Sequence, residues 1–314
     1  MREIRKAERH YHTWLHDSTR WQTFAPRTGD IVIATQSKCG TTWMQRIVSL
    51  LVFQSPAPCL LTKLSPWIDQ RFGPPLPTLW ELIEPQEHRR FLKCHLPFDG
   101  LPIYDELRYI HVARDPRDAC MSFFNHWSMS RPLLFNLMDA MRPAELGPVP
   151  RTPSSLHEFW SSWFSRGVLP GAQDGYPDVS FVELETSYWQ ARHFENLLLV
   201  HYNDLKADLE GELRRIAAFL GIETPAALWP QLVEAASFAA MKRDAPELLG
   251  PAEIIFEGGT DRFFFKGSNE RWKEEISADD RLLADKLLAR FSPGLRRWVE
   301  HGRLLAGDPL TAPD

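Results

Sequence analysis

Residues Ile31 to Phe53 read IVIATQSKCGTTWMQRIVSLLVF. The opening run Ile31-Val32-Ile33 is β-branched, long enough for a buried strand and too short for a helix. A small polar loop follows, Thr35-Gln36-Ser37-Lys38-Cys39-Gly40-Thr41-Thr42. From Thr42 onward Ile47, Leu50 and Leu51 recur at three- and four-residue spacing, which predicts an amphipathic helix. A strand, a polar loop with one Lys and one Gly, and a helix together make an anion cradle. Unpaired N–H groups face outward at a helix start, and the helix dipole favours negative charge there. Lys38 adds a full charge, and Thr41 and Thr42 add hydroxyl donors, so a phosphate or sulfate ester is the expected ligand. The plainer reading is a βα turn whose Ser and Thr residues only cap a helix.

The loop does not follow the NTPase pattern G-x-x-x-x-G-K-[ST], in which Lys comes after the last Gly. Here Lys38 precedes Gly40, and Cys39 takes the place of a Mg²⁺-binding Ser or Thr. No metal is therefore expected. The chain has 314 residues and a net charge of −5, which argues against a general nucleic-acid surface. Anion recognition must be local. The N-terminus MREIRKAERHYHTW is charged from its second residue and has no apolar segment of a secretory signal. No apolar run approaches the length of a membrane span. Cys39, Cys59, Cys94 and Cys120 form no C-x-x-C pair, against a zinc site or a disulfide framework. A cytoplasmic protein is expected.

Residues 1–29 read as a lead-in whose Tyr11, Trp14, Trp21 and Phe24 pack on the domain. The seven prolines of residues 55–90 predict an irregular covering loop with short helical turns. Phe91–Cys94 and Tyr109–Ala113 read as short buried strands, stopping at His95 and Arg114. Pro116 suits the first turn of a helix over 117–129. Residues 131–153 read as a second cover, and residues 154–168 as an aromatic-rich helix. Leu197–His201 is a further strand. Asp204 is expected to cap one helix carrying Leu205, Leu209, Leu213, Ile216 and Leu220, stopped at Gly221. Another helix follows Pro225, residues 246–270 read as irregular, and a final helix covers 278–291. Strands alternating with helices predict an α/β, three-layer fold: a central parallel sheet flanked by helices, in one domain over 1–314.

Ligands of open parallel sheets sit beyond the carboxyl ends of the strands. Lys38 follows the first strand, Lys93 and His95 the second, and Arg114 the third. A lone His is more often a buried core residue. The position of His95 at a strand end, and the neutral titration of imidazole, suit a general base. For Arg114 and Arg117 a salt-bridged turn with Asp115 and Asp118 stands open beside anion binding.

Six segments resemble motifs of the cytosolic-type sulfotransferases that use 3′-phosphoadenosine 5′-phosphosulfate (PAPS). TQSKCGTTW at Thr35–Trp43 is similar to the family's P-loop-like phosphosulfate-binding loop, TYPKSGTTW. KCHLP at Lys93–Pro97 resembles KTHLP, and RDPRDACMSFFNHW at Arg114–Trp127 resembles RNPKDVxVSYYHF. YNDLK at Tyr202–Lys206 resembles YEDMK. Ser237-Phe238 with Met241-Lys242 resembles SFxxMK, and FKGSNERWK at Phe265–Lys273 resembles RKGxxGDWK. They occur in the family's order.

The resemblance implies that Lys38, Cys39, Gly40, Thr41 and Thr42 hold the 5′-phosphosulfate. Trp43, Phe238 and Tyr202 would surround adenine. Arg114, Ser122, Ser237, Phe265, Lys266 and Gly267 would complete the nucleotide site. Lys93 would neutralise the sulfuryl group, and His95 would take the acceptor's proton. The products would be a sulfate ester and adenosine 3′,5′-bisphosphate (PAP). Gln36-Ser37 replaces the family's Tyr-Pro, which predicts a looser turn, and Phe265 replaces an Arg whose charge Arg271 could restore. Cys39 and Cys94 would flank the transfer site, either as cation-activated thiols or as packing residues.

The acceptor is expected to be a small hydrophobic alcohol or phenol, in a pocket walled by Phe72, Trp80, Phe123, Phe124, Phe135, Trp160 and Trp163. A homodimer is left open, and no nucleic-acid or membrane partner is expected. Two other readings stay beside the transferase: a P-loop kinase or NTPase, and a non-catalytic nucleotide-binding relative.

Overall fold

In the computed structural model, which describes residues 1–314 apart from the side chain of Glu253, the chain forms six strands. They are β1 (Glu3–Arg5), β2 (Ile31–Thr35), β3 (Phe91–Cys94), β4 (Ile103–Tyr104), β5 (Arg108–Ala113) and β6 (Leu197–His201). Four of them make a parallel sheet in the order β3-β2-β5-β6, while β1 and β4 pair separately and antiparallel. The parallel register sets Ala34 opposite Cys94, Thr35 opposite Val112, and Ala113 opposite His201. All four carboxyl ends therefore finish at one edge.

Successive residues of a strand point to opposite faces. Ile31 and Ile33 join Phe91, Ile110, Val112 and Val200 in one core. The helices Thr41–Phe53, Leu209–Leu220 and Trp229–Ala236 cover it. Val32 and Ala34 join Leu92, Tyr109 and Leu199 in a second core, under the helices Pro116–Ser128, Leu156–Ser165 and Phe181–Gln190. Each fully buried Ile, Val or Leu contributes about 1.5–3 kcal/mol, so both faces of the sheet must be covered. The result is the three-layer α/β arrangement expected. Among the described residues no helix is long and apolar enough to cross a membrane.

The lead-in packs down through Tyr11, Trp14, Trp21 and Phe24, all buried. The proline-rich residues 55–90 hold only the short helices Leu61–Leu64 and Leu76–Ile83. The second cover is more regular than expected, with a helix at Pro132–Met141.

Three expectations need correction. The helix placed after Asp204 is two helices, Tyr202–Ala207 and Leu209–Leu220. The His201 ring accepts from the Asn203 N–H at 3.1 Å and caps the first. Asp208 accepts from the Gly211 N–H at 2.9 Å and caps the second. Asp204 turns away, accepting from the N–H groups of Arg303 and Leu304. Gly221, with φ +64°, ends the second helix as expected. The helix over 278–291 stops at Leu288 and is not the last: Pro293–His301 and Arg303–Ala306 follow. Residues 246–270 contain short helices at Ala245–Leu249, Ala252–Ile254 and Gly259–Phe263.

Candidate active site

The loop after β2 is built from two left-handed residues, Lys38 (φ +68°) and Gly40 (φ +109°). Gly40 is required there, because a Cβ would lie 3.0 Å from the Tyr202 ring. The Cys39 N–H is spent on the Gln36 carbonyl at 3.2 Å. The N–H groups of Gly40, Thr41 and Thr42 have no acceptor among the described residues, and the first helical bond runs from Met44 to Gly40. These free donors form the cradle that the sequence suggested. The turn is not loosened by Gln36, whose side chain donates to the Val179 carbonyl at 2.8 Å and pins the loop.

A cavity of about 700 Å³ opens at the carboxyl edge of the sheet. Lys38, Lys93, His95 and Arg114 line it together, with Gly40, Thr41, Thr42 and Trp43 from the loop. Ser122, Tyr202 and Phe238 line it further along, and Phe265, Lys266, Gly267 and Arg271 close one side. A Cβ on Gly267 would sit 2.7 Å from the Phe238 ring, so this segment also needs glycine for close approach. Two expected ligands lie off the lining. The Cys39 side chain is fully buried. The Ser237 hydroxyl caps the helix Phe238–Arg243, accepting from the Ala240 N–H at 3.1 Å.

His95 is buried, with Nδ1 2.7 Å from the Thr35 carbonyl. A carbonyl only accepts, so Nδ1 carries the proton and Nε2 keeps its lone pair. Burial, and then the charge of Lys93, lower its pKa to about 3, so the ring is neutral at ordinary pH. Burial lowers Lys38 to about 7, aided by repulsion from Lys93 and Arg114. Burial lowers Lys93 to about 8, against the pull of Asp69 and Asp178. Their ammonium groups rest over aromatic faces, Lys38 at 4.9 Å from the Phe263 ring centre and Lys93 at 4.2 Å from that of Trp67. Among the described residues neither lysine has a carboxylate within salt-bridge distance. Two unneutralised cations in one cavity favour an anion.

Arg114 donates to the Lys38 carbonyl at 3.0 Å and to Asn269 at 2.7 Å, and lies 4.1 Å over the Tyr202 ring. Its Nε is buried without a partner. Arg117 takes the other reading: it pairs with Asp115 at 2.6 Å and Glu300 at 2.8 Å and fastens the turn. Arg271 is engaged by Glu275 at 2.9 Å, with its guanidinium 5.1 Å from the Phe265 ring centre. Burial pushes the Cys39 and Cys94 thiols well above their ordinary values, which fits packing residues.

Behind Lys93 and His95 lies a buried network that the sequence did not reveal. His16 is clamped between Asp69 at 3.3 Å and Asp178 at 2.6 Å. Burial alone would lower His16, but the two carboxylates raise it to about 9. Asp69 also accepts from Trp67 Nε1 at 2.8 Å and from the His95 N–H at 3.1 Å. It therefore holds both the His95 backbone and the ring beneath Lys93. These residues come from three remote segments with no common motif.

The acceptor wall differs from expectation. Of the seven aromatics proposed, Phe123 lines the cavity, while Phe135, Trp160 and Trp163 are buried in the core and Phe72, Trp80 and Phe124 lie off the lining. The covers do contribute, through Leu61, Trp67, Leu79 and Leu82 and through Leu134 and Met138, and residues 249–265 add Phe256, Phe263 and Phe264. The run Phe263-Phe264-Phe265 was the available signal.

Comparison with known proteins adds an independent line. The profile of the family described as "Sulfotransferase domain" matches residues 28–291. A glycolipid sulfotransferase of Mycobacterium tuberculosis is 33% identical over 317 residues, covering 93% of this chain and 94% of the relative. A rat protein named sulfotransferase 1A1 is 26% identical over 266 residues, covering 82% of each. Among solved structures, a mouse sulfotransferase complexed with PAP superposes with a TM-score of 0.67 at 20% identity, over 91% of this chain and 93% of the other. Retinol dehydratase in complex with androsterone and PAP gives a TM-score of 0.66 at 21% identity, over 87% and 82%. At such identities the superpositions speak for the fold.

Proposed function

The chain belongs to the sulfotransferase domain family, and from that premise we propose that it moves the sulfuryl group of PAPS to a hydroxyl of a small, largely apolar acceptor, with His95 as the base. The observation that carries this reading is one cavity holding an imidazole with a free Nε2, two unneutralised lysines and the open N–H groups of a helix start.

The residues present fit such a nucleotide. Lys38 and the N–H groups of Gly40, Thr41 and Thr42 hold its 5′ end. Arg114, with its unpartnered Nε, Ser122, Lys266 and Gly267 hold the 3′-phosphate, and Arg271 restores the charge missing at Phe265. Trp43, Tyr202 and Phe238 surround the base. PAPS supplies the electrophilic sulfur. With PAPS bound, His95 Nε2 would take the proton of the acceptor hydroxyl, Lys93 would neutralise the sulfuryl group, and Lys38 would stabilise the charge on the 5′-phosphate oxygen of PAP as its bond to sulfur is exchanged for one to the acceptor oxygen. Burial is the main cause of the low imidazole basicity, and an anion set against Lys93 would offset the smaller part that comes from that lysine's charge.

The aromatic and aliphatic lining supports an apolar acceptor, and the glycolipid sulfotransferases at 33% identity support one of lipid-like character. We read the whole chain as one domain acting in the cytoplasm, where its four free cysteines stay reduced. The test is incubation with labelled PAPS and a panel of phenols and long-chain alcohols, with and without EDTA. Label should pass to an acceptor whether or not EDTA is present. No transfer to any acceptor, or hydrolysis of the nucleotide only with Mg²⁺, would overturn it.

A further inference from the structure

The helix Pro116–Ser128 presents Ser122 to the cavity and, one turn on, His126 on the same face. The His126 ring packs against Phe256, with centroids 4.7 Å apart, and against Phe263 at 5.6 Å. Its Nδ1 is buried with no partner, and no described residue bonds Nε2. The residue lines the cavity. The rings of Phe256 and Phe263 pack on the imidazole, and Phe123, Leu134 and Met138 line the same cavity. An imidazole left unbonded among such neighbours is destabilising unless something entering the cavity bonds it. Burial, and then the charges of Lys38 and Lys93, push its pKa well below the ordinary value, so it remains neutral and close to the transfer site.

We propose that His126 is a second polar anchor of the acceptor chamber, hydrogen-bonding a neutral oxygen that the acceptor carries in addition to the hydroxyl that is sulfated. The inference rests on the transferase reading for which hydroxyl reacts, and it narrows the substrate class. A neutral ring offers a carboxylate no charge, whereas a hydroxyl, ether or carbonyl oxygen pairs with it well. The acceptor is thus amphipathic: an apolar body with two oxygens set apart, one facing His95 and the other His126.

Two phenols of equal length test this, para-pentylphenol and para-(hydroxybutyl)phenol, which differ in a terminal methyl against a terminal hydroxyl. Affinity is measured by calorimetry on the PAP-bound protein, so the readout does not depend on turnover. The hydroxylated phenol should bind about tenfold to a hundredfold more tightly than its partner. His126→Phe should collapse that ratio to within about threefold, and His126→Gln, which keeps a hydrogen-bonding group, should restore part of it. Melting temperatures of both variants report folding. Equal affinities in the wild type, binding of neither phenol, or a ratio unchanged in a folded His126→Phe protein would overturn the inference. Binding with the predicted ratio but without sulfation would instead reject the transferase reading alone.

Discussion

At the residue scale the site is a balance of burial against charge. From an ordinary 10.5, Lys38 falls to about 7 through burial and the repulsion of Lys93 and Arg114, and Lys93 falls to about 8 through burial against the pull of Asp69 and Asp178. Between pH about 7 and about 10 the folded protein then holds fewer protons than the unfolded chain, so these groups make stability rise with pH in that window. A bound anion reverses the preference and draws the protons back. PAP affinity should therefore weaken as pH rises from about 7 to about 9, with proton uptake visible by calorimetry in buffers of different ionisation enthalpy. A flat profile would show that the lysines do not hold the nucleotide. Asp69 is the carboxylate that most opposes the fall of Lys93; Asp178, Lys38 and His95 also face that ammonium. Asp69→Asn keeps an oxygen for Trp67 and His95 but removes the charge. The alkaline limb of the rate profile should move to lower pH, whereas damage to structure alone would lower the rate at every pH. Arg271→Ala should weaken PAP binding about tenfold if that residue contributes charge to the 3′-phosphate, and unchanged affinity would reject the role. His95, Lys38 and Arg114 were legible because each stands beside a strand end in a local motif. Asp69, His16 and Asp178 were not, because only the folded chain brings them together.

At the element scale the deciding unit is the turn from β2 into the helix Thr41–Phe53. The β-branched run Ile31-Val32-Ile33 and the spacing of Ile47, Leu50 and Leu51 made both partners readable. The break after Ala207 was not readable, because the apolar stripe runs on through Leu205, Leu209 and Leu213 while the caps at His201 and Asp208 divide the helix. Periodicity reports which face is buried; it does not report a change of axis. The loop's dependence on one residue is testable. Gly40→Ala places a Cβ 3.0 Å from Tyr202 at φ +109°. It should cost about 1–3 kcal/mol in denaturant titration and weaken PAP binding with it. A variant unchanged in both would show that the loop is not the strained cradle described.

At the scale of the whole molecule, four strand ends, the covers at 55–90 and 131–153 and the excursion of residues 246–270 line one cavity. The three-layer architecture followed from strands buried on both faces. The chamber's walls did not, because an aromatic residue serves core and pocket alike: Trp160 and Trp163 went to the core, and Phe256 and Phe263 to the cavity. The central claim is that this chamber carries out sulfuryl transfer with His95 as its base. It is tested most directly by measuring, on one preparation of His95→Ala, both PAP affinity and the rate of transfer from labelled PAPS to a phenol. The account predicts nucleotide binding close to that of the wild type and a rate lower by about 10²–10⁴. Transfer at the wild-type rate in that folded, nucleotide-binding variant would contradict it.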